Sequence, residues 1–197
     1  MNSSKEPGDL RVRRTHKLLW EALMALLAEQ EFEAISVTEI CERAMVHRTT
    51  FYKHYEDKYH LLLKGMREIY ATLAAEADVP PDAFLAEDAP LVFIGFFEHV
   101  EKHQRFYRLM LCGDGIGKFQ SLLRAYLVEL CEIRLNKAAK GLPATVVPIP
   151  LLAQFCAGTV ISTTTWWLEN DLAYPPRQMA TYVKRLLHNG CFPSDKA

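Results

Sequence analysis

A capped start to a short helix is the feature that most restricts how this chain can fold. Ser36 and Glu39 form an S-x-x-E capping box, in which each side chain satisfies a backbone N–H that the first turn of a helix leaves without a partner. Ile35 and Ile40 flank the box at the two positions of a hydrophobic staple, which fixes the angle at which the chain enters the helix. The pattern predicts a helix of only about two turns, ending near Ala44.

A tight turn and a second short helix follow the first. We predict the turn at residues 45–46, the second helix at about 47–55, and a longer helix before both, from Arg11 to near Glu31, whose leucines recur at helical spacing. This is the arrangement of a helix-turn-helix, whose second helix enters the major groove of DNA while the first crosses the phosphate backbone. A helical hairpin that only packs is the alternative. The second helix offers donors for phosphates and base edges: Arg48, Thr49, Tyr52, Lys53 and His54.

The segment before the first helix is polar and is broken by Pro7 and Gly8, which predicts a disordered arm over residues 1–10. It lacks the apolar stretch of a secretory signal. Four basic residues then stand at the start of the first helix, where they form either a second DNA contact or a solvated charged face. They are Arg11, Arg13, Arg14 and Lys17.

The remainder of the chain is predicted to be helical throughout. Asp57 is the expected N-cap of a long helix, which Pro80 and Pro81 end. Every later apolar segment is consistent with a helix, and no convincing strand alternates apolar with polar residues. The fold class is therefore all-α, with about nine helices. The later helices are predicted at about 88–102, 104–111, 118–139, 150–170 and 175–189.

The helix-turn-helix resembles the DNA-binding motif of the TetR family of bacterial-type transcriptional regulators. In that family a capped short helix leads into A-G-V, then a T-F-Y-x-H/Y-F core and a lysine three residues further on. Met45 stands where glycine is usual, and Cys41 stands where alanine is usual. If the turn keeps the left-handed backbone that glycine favours, Met45 costs on the order of 1 kcal/mol. The matching residues are Ser36, Ile40, Ala44, Val46, Thr50, Phe51, Tyr52, His54, Tyr55 and Lys58.

The resemblance implies a ligand-responsive repressor that binds a palindromic operator in double-stranded DNA as a homodimer. The implied domains are the disordered arm at residues 1–10, a three-helix DNA-binding domain at 11–57, and a larger helical domain for ligand binding and dimerisation at 58–190. Two copies of one short recognition helix are needed, because a single copy reads only a few base pairs.

The resemblance also implies which side chains contact DNA. One group matches family positions that commonly touch phosphates or anchor the recognition helix: Thr50, Tyr52, His54 and Lys58. A second group falls at the more variable positions, which read bases or contact the backbone: Arg48, Thr49 and Lys53. At the start of the first short helix, the expected set is completed by Ser36 and Thr38.

In the TetR family the C-terminal region holds a ligand cavity and the dimer interface. The last two helices, near 150–170 and 175–189, suit the interface because they combine small residues with apolar faces, although intrachain core is the alternative. His99 and His103 have metal-ligand spacing, but no third ligand is evident, so we predict no metal. An apolar effector site is expected from residues that are otherwise ordinary core: Phe96, His99, His103, Tyr107, Met110 and Trp166.

Composition excludes some classes of protein but does not indicate a binding partner. The chain has 23 Lys and Arg against 24 Asp and Glu, so its net charge of −1 gives no hint of nucleic acid, and any basic surface is local. It contains no stretch of about 18 apolar residues, and we expect no membrane partner. Five scattered cysteines without a C-x-x-C pair indicate free thiols in a reducing cytoplasm.

An enzyme is not predicted, and no cofactor is expected. The chain carries no G-x-S-x-G, H-E-x-x-H, G-x-G-x-x-G or P-loop motif, and no Cys–His spacing typical of a nucleophile with its base. An all-helical enzyme is the remote alternative. The more plausible alternative is a ligand-binding interaction protein on the same fold that does not bind DNA. The outward Arg48, Lys53 and Lys58 argue against it.

Overall fold

All regular structure in the described part of the chain is helical, which confirms the predicted fold class. The computed structural model describes residues 7–76, 91–112, 117–139 and 147–188. Within these ranges lie nine α-helices, one 3-10 helix at Phe32–Ala34 and no strand. The α-helices are α1 (Pro7–Leu27), α2 (Val37–Ala44), α3 (Arg48–Tyr52), α4 (Lys58–Glu76), α5 (Leu91–Lys102), α6 (Gln104–Leu111), α7 (Gly117–Ala138), α8 (Ile149–Glu169) and α9 (Pro176–His188).

The chain divides into two compact units, Met1–Glu68 and Ile69–Ala197. In the first unit α1 packs on α2, and α2 packs on α3. Leu19 of α1, Ile40 of α2 and Phe51 of α3 are fully buried. Burial stabilises each such side chain by roughly 1.5–3 kcal/mol. This core holds two helices that are too short to form on their own.

Helix α1 begins earlier than predicted. Residues 7–10 are helical, so the prediction of a disordered arm over residues 1–10 is wrong for this part, while residues 1–6 lie outside the described ranges. The prediction treats Pro7 as a helix breaker. In the structure Pro7 is the first residue of α1, a position that suits proline because the N–H that it lacks would have no partner there.

The predicted starts of α2 and α4 are confirmed. The Ser36 hydroxyl accepts the N–H of Glu39 at 3.2 Å, and the Ser36 N–H donates to the Glu39 carboxylate at 2.7 Å, which completes the capping box. At the start of α4 the Asp57 carboxylate accepts the N–H of His60 at 2.8 Å. Helix α3 is shorter than predicted and ends at Tyr52 instead of near residue 55.

In the second unit α5 packs on α9, and α8 packs on α6, α7 and α9. Phe97 of α5 meets Trp167 of α8 edge to face, with ring centres 5.3 Å apart, and both side chains are fully buried. The Trp167 indole N–H donates to the Tyr174 carbonyl at 2.8 Å. Asp171 and Leu172 between the two helices have left-handed φ angles of 52° and 56°. Trp167 therefore ties the turn between α8 and α9 to the core.

The described cysteines carry free thiols, as predicted: Cys41, Cys112, Cys131 and Cys156. Burial raises the pKa of the Cys131 thiol to about 12, so this side chain serves as a small apolar core residue and not as a nucleophile. None of the described helices combines the length and apolar character that crossing a membrane requires.

Candidate functional site

Helix α3 presents a surface of hydrogen-bond donors in the first unit. Phe51 is fully buried and holds the helix against the core. The predicted DNA-contacting side chains between residues 48 and 54 are exposed, apart from two that are half-buried, Thr50 and His54. The exposed ones are Arg48, Thr49, Tyr52 and Lys53. A guanidinium, an ammonium, three hydroxyls and an imidazole therefore border a single short helix, a set that matches phosphate oxygens and base edges.

His47 belongs to this surface, although it is not among the predicted DNA contacts. It is exposed and caps α3: its Nδ1 accepts the backbone N–H of Thr49 at 3.3 Å and lies 2.9 Å from the Thr49 hydroxyl. Because a backbone N–H can only donate, Nδ1 carries the lone pair, and the proton of the neutral ring is on Nε2. His47 thus offers an N–H donor beside Arg48. Histidine is not among the preferred N-cap residues, so capping rules gave no signal for it.

The turn between α2 and α3 keeps the left-handed backbone that glycine favours. Met45 has φ 53° and ψ 39°, and the Val46 N–H donates to the Cys41 carbonyl at 2.9 Å to close the turn. A left-handed conformation costs a residue with a Cβ atom about 1–2 kcal/mol. The Met45 side chain is 92% exposed, so packing within this unit does not offset that cost.

Lys58 makes its hydrogen bonds within the first unit. Its ammonium group donates to three backbone carbonyls, those of Phe32 at 2.7 Å, Glu33 at 2.9 Å and Ile35 at 2.9 Å. An ammonium has three protons, and all three are used. The side chain is only 13% exposed and lies 4.8 Å from the centre of the Phe32 ring. Of the two roles that the resemblance implies, this geometry favours anchoring: Lys58 holds the segment that leads into α2.

The remaining predicted DNA contacts are distributed over α1 and α2. Ser36 is exposed and uses its oxygen for the capping box, while the half-buried Thr38 lines a shallow depression together with His47 and Arg48. On α1 the basic cluster defined above is exposed throughout. Lys17 lies 3.8 Å from Glu21, a contact that is weak for two exposed side chains.

A cluster of aromatic rings in the second unit brings together most of the predicted effector residues. The Tyr107 ring centre lies 6.4 Å from that of Phe96 and 5.9 Å from that of His99, whose ring is 4.5 Å from that of His103. Tyr107 is fully buried. Burial, helped by the charges of His103 and Lys102, lowers the pKa of His99 to about 4, so its imidazole is neutral at neutral pH.

Two tyrosines that the sequence analysis does not single out extend this cluster. The Tyr70 ring lies 5.9 Å from Phe96 and stacks on Tyr126 at 6.0 Å. These residues come from α4, α5 and α7, so only the tertiary fold brings them together. Among the described residues no group of three or more His, Cys, Asp or Glu side chains is arranged to hold a metal.

Two predicted effector residues have other surroundings. Met110 is buried core. Trp166 is 45% exposed, stacks on Tyr174 at 6.2 Å, and lines a groove of about 490 Å³ with residues of α8 and α9. The groove walls are largely apolar and include Met179, Tyr182 and Leu186. Trp166 is thus part of the exposed apolar surface of α8 and α9, and not of the aromatic cluster.

Two family models match the chain. The model described as bacterial regulatory proteins, tetR family, matches residues 19–64, which hold the end of α1, all of α2 and α3, and the start of α4. A model described as a transcriptional regulator C-terminal region, of the same family, matches residues 87–189. This second match alone spans more than half of the chain.

The chain is also similar, at low sequence identity, to individual proteins and solved structures. The chain is 24% identical over 170 residues to the uncharacterized HTH-type transcriptional regulator YxbF of Bacillus subtilis, and the match covers 85% of this chain but only 43% of that protein. A TetR transcriptional regulator from Streptococcus agalactiae has a TM-score of 0.61 at 24% identity, over 92% of this chain and 98% of that one. The regulator FadR from Bacillus subtilis, solved in complex with stearoyl-CoA, has a TM-score of 0.62 at 19% identity, over 89% and 99%.

Proposed function

The chain belongs to the TetR family of bacterial transcriptional regulators, and from this membership we propose that it is a ligand-responsive repressor that binds a palindromic operator as a homodimer. The observation that carries the proposal is the donor surface of α3. Its exposed side chains stand on α3, whose position is fixed by the core with α1 and α2, by the capping box and by the turn. An exposed donor surface on the second helix of a helix-turn-helix suits the major groove.

We divide the DNA contacts by their chemistry. Arg48, Thr49 and His47 stand at the start of α3, the end of a recognition helix that reaches base edges, so we assign them to base reading. Phosphate contacts are assigned to residues at the flanks, namely the α1 basic cluster, Ser36, Thr50, Tyr52, Lys53 and His54, whereas Thr38 lies with His47 and Arg48 at the base-reading end. Lys58 is left out of both groups because its three protons are already engaged.

Replacing Arg48 with alanine should weaken operator binding far more than binding to random duplex. A bidentate arginine discriminates guanine by about 1–3 kcal/mol, which is roughly a 5- to 150-fold loss of operator affinity for each half-site. Titration of labelled operator and random duplex at one salt concentration measures the difference. Arg43→Ala is the matched control, because Arg43 is also on the motif but pairs with Glu29 at 2.6 Å. Equal weakening on both duplexes would show that Arg48 contacts phosphate.

The dimer interface that we propose is the exposed apolar face of α8 and α9. Large apolar side chains on these two helices and on the turn between them remain between 38% and 61% exposed, and exposed surfaces of this kind mark interaction sites. Gly158 of α8 has open space where another residue would carry its Cβ atom, which lets a second helix approach closely. Ala157 and Thr164 are buried within their own unit and serve the intrachain core. The apolar residues are Leu151, Phe155, Trp166, Tyr174, Tyr182 and Leu186.

The effector that we propose is a small molecule with a substantial apolar part, bound at the aromatic cluster. The neutral His99 and the surrounding tyrosine and phenylalanine rings favour apolar over charged groups. FadR of Bacillus subtilis, which shares this fold, was solved with stearoyl-CoA, so this acyl-CoA is a suitable first probe. Calorimetric titration of stearoyl-CoA with and without operator DNA tests the coupling, which must be reciprocal. Equal affinities in both titrations would remove stearoyl-CoA as an effector.

A further inference from the structure

Met45 combines backbone strain with nearly complete exposure. Among the described residues no other large apolar side chain is as exposed, since Leu151 follows at 61% against 92%. Its backbone is left-handed, a conformation that glycine would adopt without cost. The φ angle therefore destabilises the free protein, and the exposed side chain buries no apolar surface that would offset the cost. Strain of this kind collects at functional sites, where another gain offsets it.

The surroundings of Met45 indicate what could provide that gain. Met45 lines a depression of about 510 Å³ whose wall also carries Thr38, His47 and Arg48, three residues of the DNA surface proposed above. Cys41 and Val46 contribute apolar lining to the depression. The lining also includes the negative carboxylate of Glu42, which offsets the positive charge of Arg48. A phosphate would meet a like charge there. An uncharged apolar group fits the depression better.

We propose that Met45 contacts the 5-methyl group of a thymine in each half-site of the operator. This inference rests on the proposed function, because it needs α3 in the major groove. The thymine methyl is the one apolar group that the base edges present in that groove. Methionine is long, unbranched and polarizable, so it can follow an irregular apolar surface. Met45 is thus a specificity-determining residue that extends the readout beyond α3 to the turn.

Replacing thymines of the operator one at a time by uracil tests the contact, because uracil lacks only the methyl group and keeps every hydrogen-bonding atom. For the wild-type protein we expect one position in each half-site where uracil lowers affinity about fourfold, the loss from exposing one buried methyl group. For Met45→Ala we expect no penalty at that position. The measurement is a titration of each duplex by fluorescence anisotropy.

Two variants separate the contact from the strain. Alanine keeps a Cβ atom and therefore the left-handed strain, whereas Met45→Gly relieves it. Both variants should lose the discrimination between thymine and uracil, and only Met45→Gly should unfold at higher urea concentration than the wild type. If the uracil penalties persist in both variants at every position, or no position shows one, the inference is wrong. If the wild type prefers no duplex over random DNA, the proposed function fails instead.

Discussion

Replacing Trp166 with glutamate should convert the proposed dimer into a monomer and abolish tight operator binding. A two-fold interface contains every substitution twice, so two carboxylates would enter the apolar face of α8 and α9. Burying an unpaired charge costs several kcal/mol. We therefore expect the dimer dissociation constant to rise by at least about 100-fold, measured by sedimentation at micromolar concentration.

The chain offers a matched control for this experiment on α7. Ile133 is 47% exposed, close to the 45% of Trp166, but lies outside the proposed interface. Ile133→Glu should leave both the dimer and the operator affinity unchanged. A Trp166→Glu protein that still sediments as a dimer would place the interface on another surface. Circular dichroism of both variants excludes simple unfolding as the cause.

Replacing Lys58 with methionine should lower the free energy of unfolding by about 3 kcal/mol. Methionine preserves the length of the side chain, but it leaves the carbonyls of Phe32, Glu33 and Ile35 without their donor. Each hydrogen bond to a charged group contributes about 1.5–3 kcal/mol, although water can replace part of it at the exposed edge. Urea unfolding of the wild type and the variant measures the difference.

Salt dependence distinguishes this structural role from a phosphate contact. The slope of log affinity for DNA against log salt falls by about 0.9 for each phosphate contact that is lost. Lys58→Met should leave the slope unchanged, whereas Lys53→Met, at an exposed position of the α3 surface, should reduce it without a large change in stability. A reduced slope with unchanged stability for Lys58→Met would restore the phosphate contact that the family resemblance implies.

The parts of the fold that sequence predicts well depend on local interactions. The capping box joins residues three apart, and the Asp57 cap also reaches only three residues along the chain. Helical spacing of apolar residues likewise identifies each long helix within one or two turns. The start of α1 is the exception, because Pro7 is compatible both with a loop and with the first turn of a helix.

The parts of the site that sequence does not predict depend on distant contacts. Lys58 reaches carbonyls 23 to 26 residues away, and no local pattern distinguishes it from a lysine that faces solvent. Tyr70 and Tyr126 stack although they lie on α4 and α7. From sequence alone Trp166 is predicted to line the effector site, but in the fold its position on α8 places it on an exposed face. Helix periodicity shows which residues share a face, but the partner of that face comes from the tertiary fold.

Selection of duplexes from a random library, followed by the stoichiometry of the best one, tests the central claim most directly. If the chain is a dimeric operator-binding regulator, the selected sequences should share a palindrome whose half-sites lie about one helical turn apart. The best duplex should bind two protomers at least about 1,000-fold more tightly than random DNA at physiological salt. Selection without enrichment, or a best duplex that binds no more tightly than random DNA, would contradict the account.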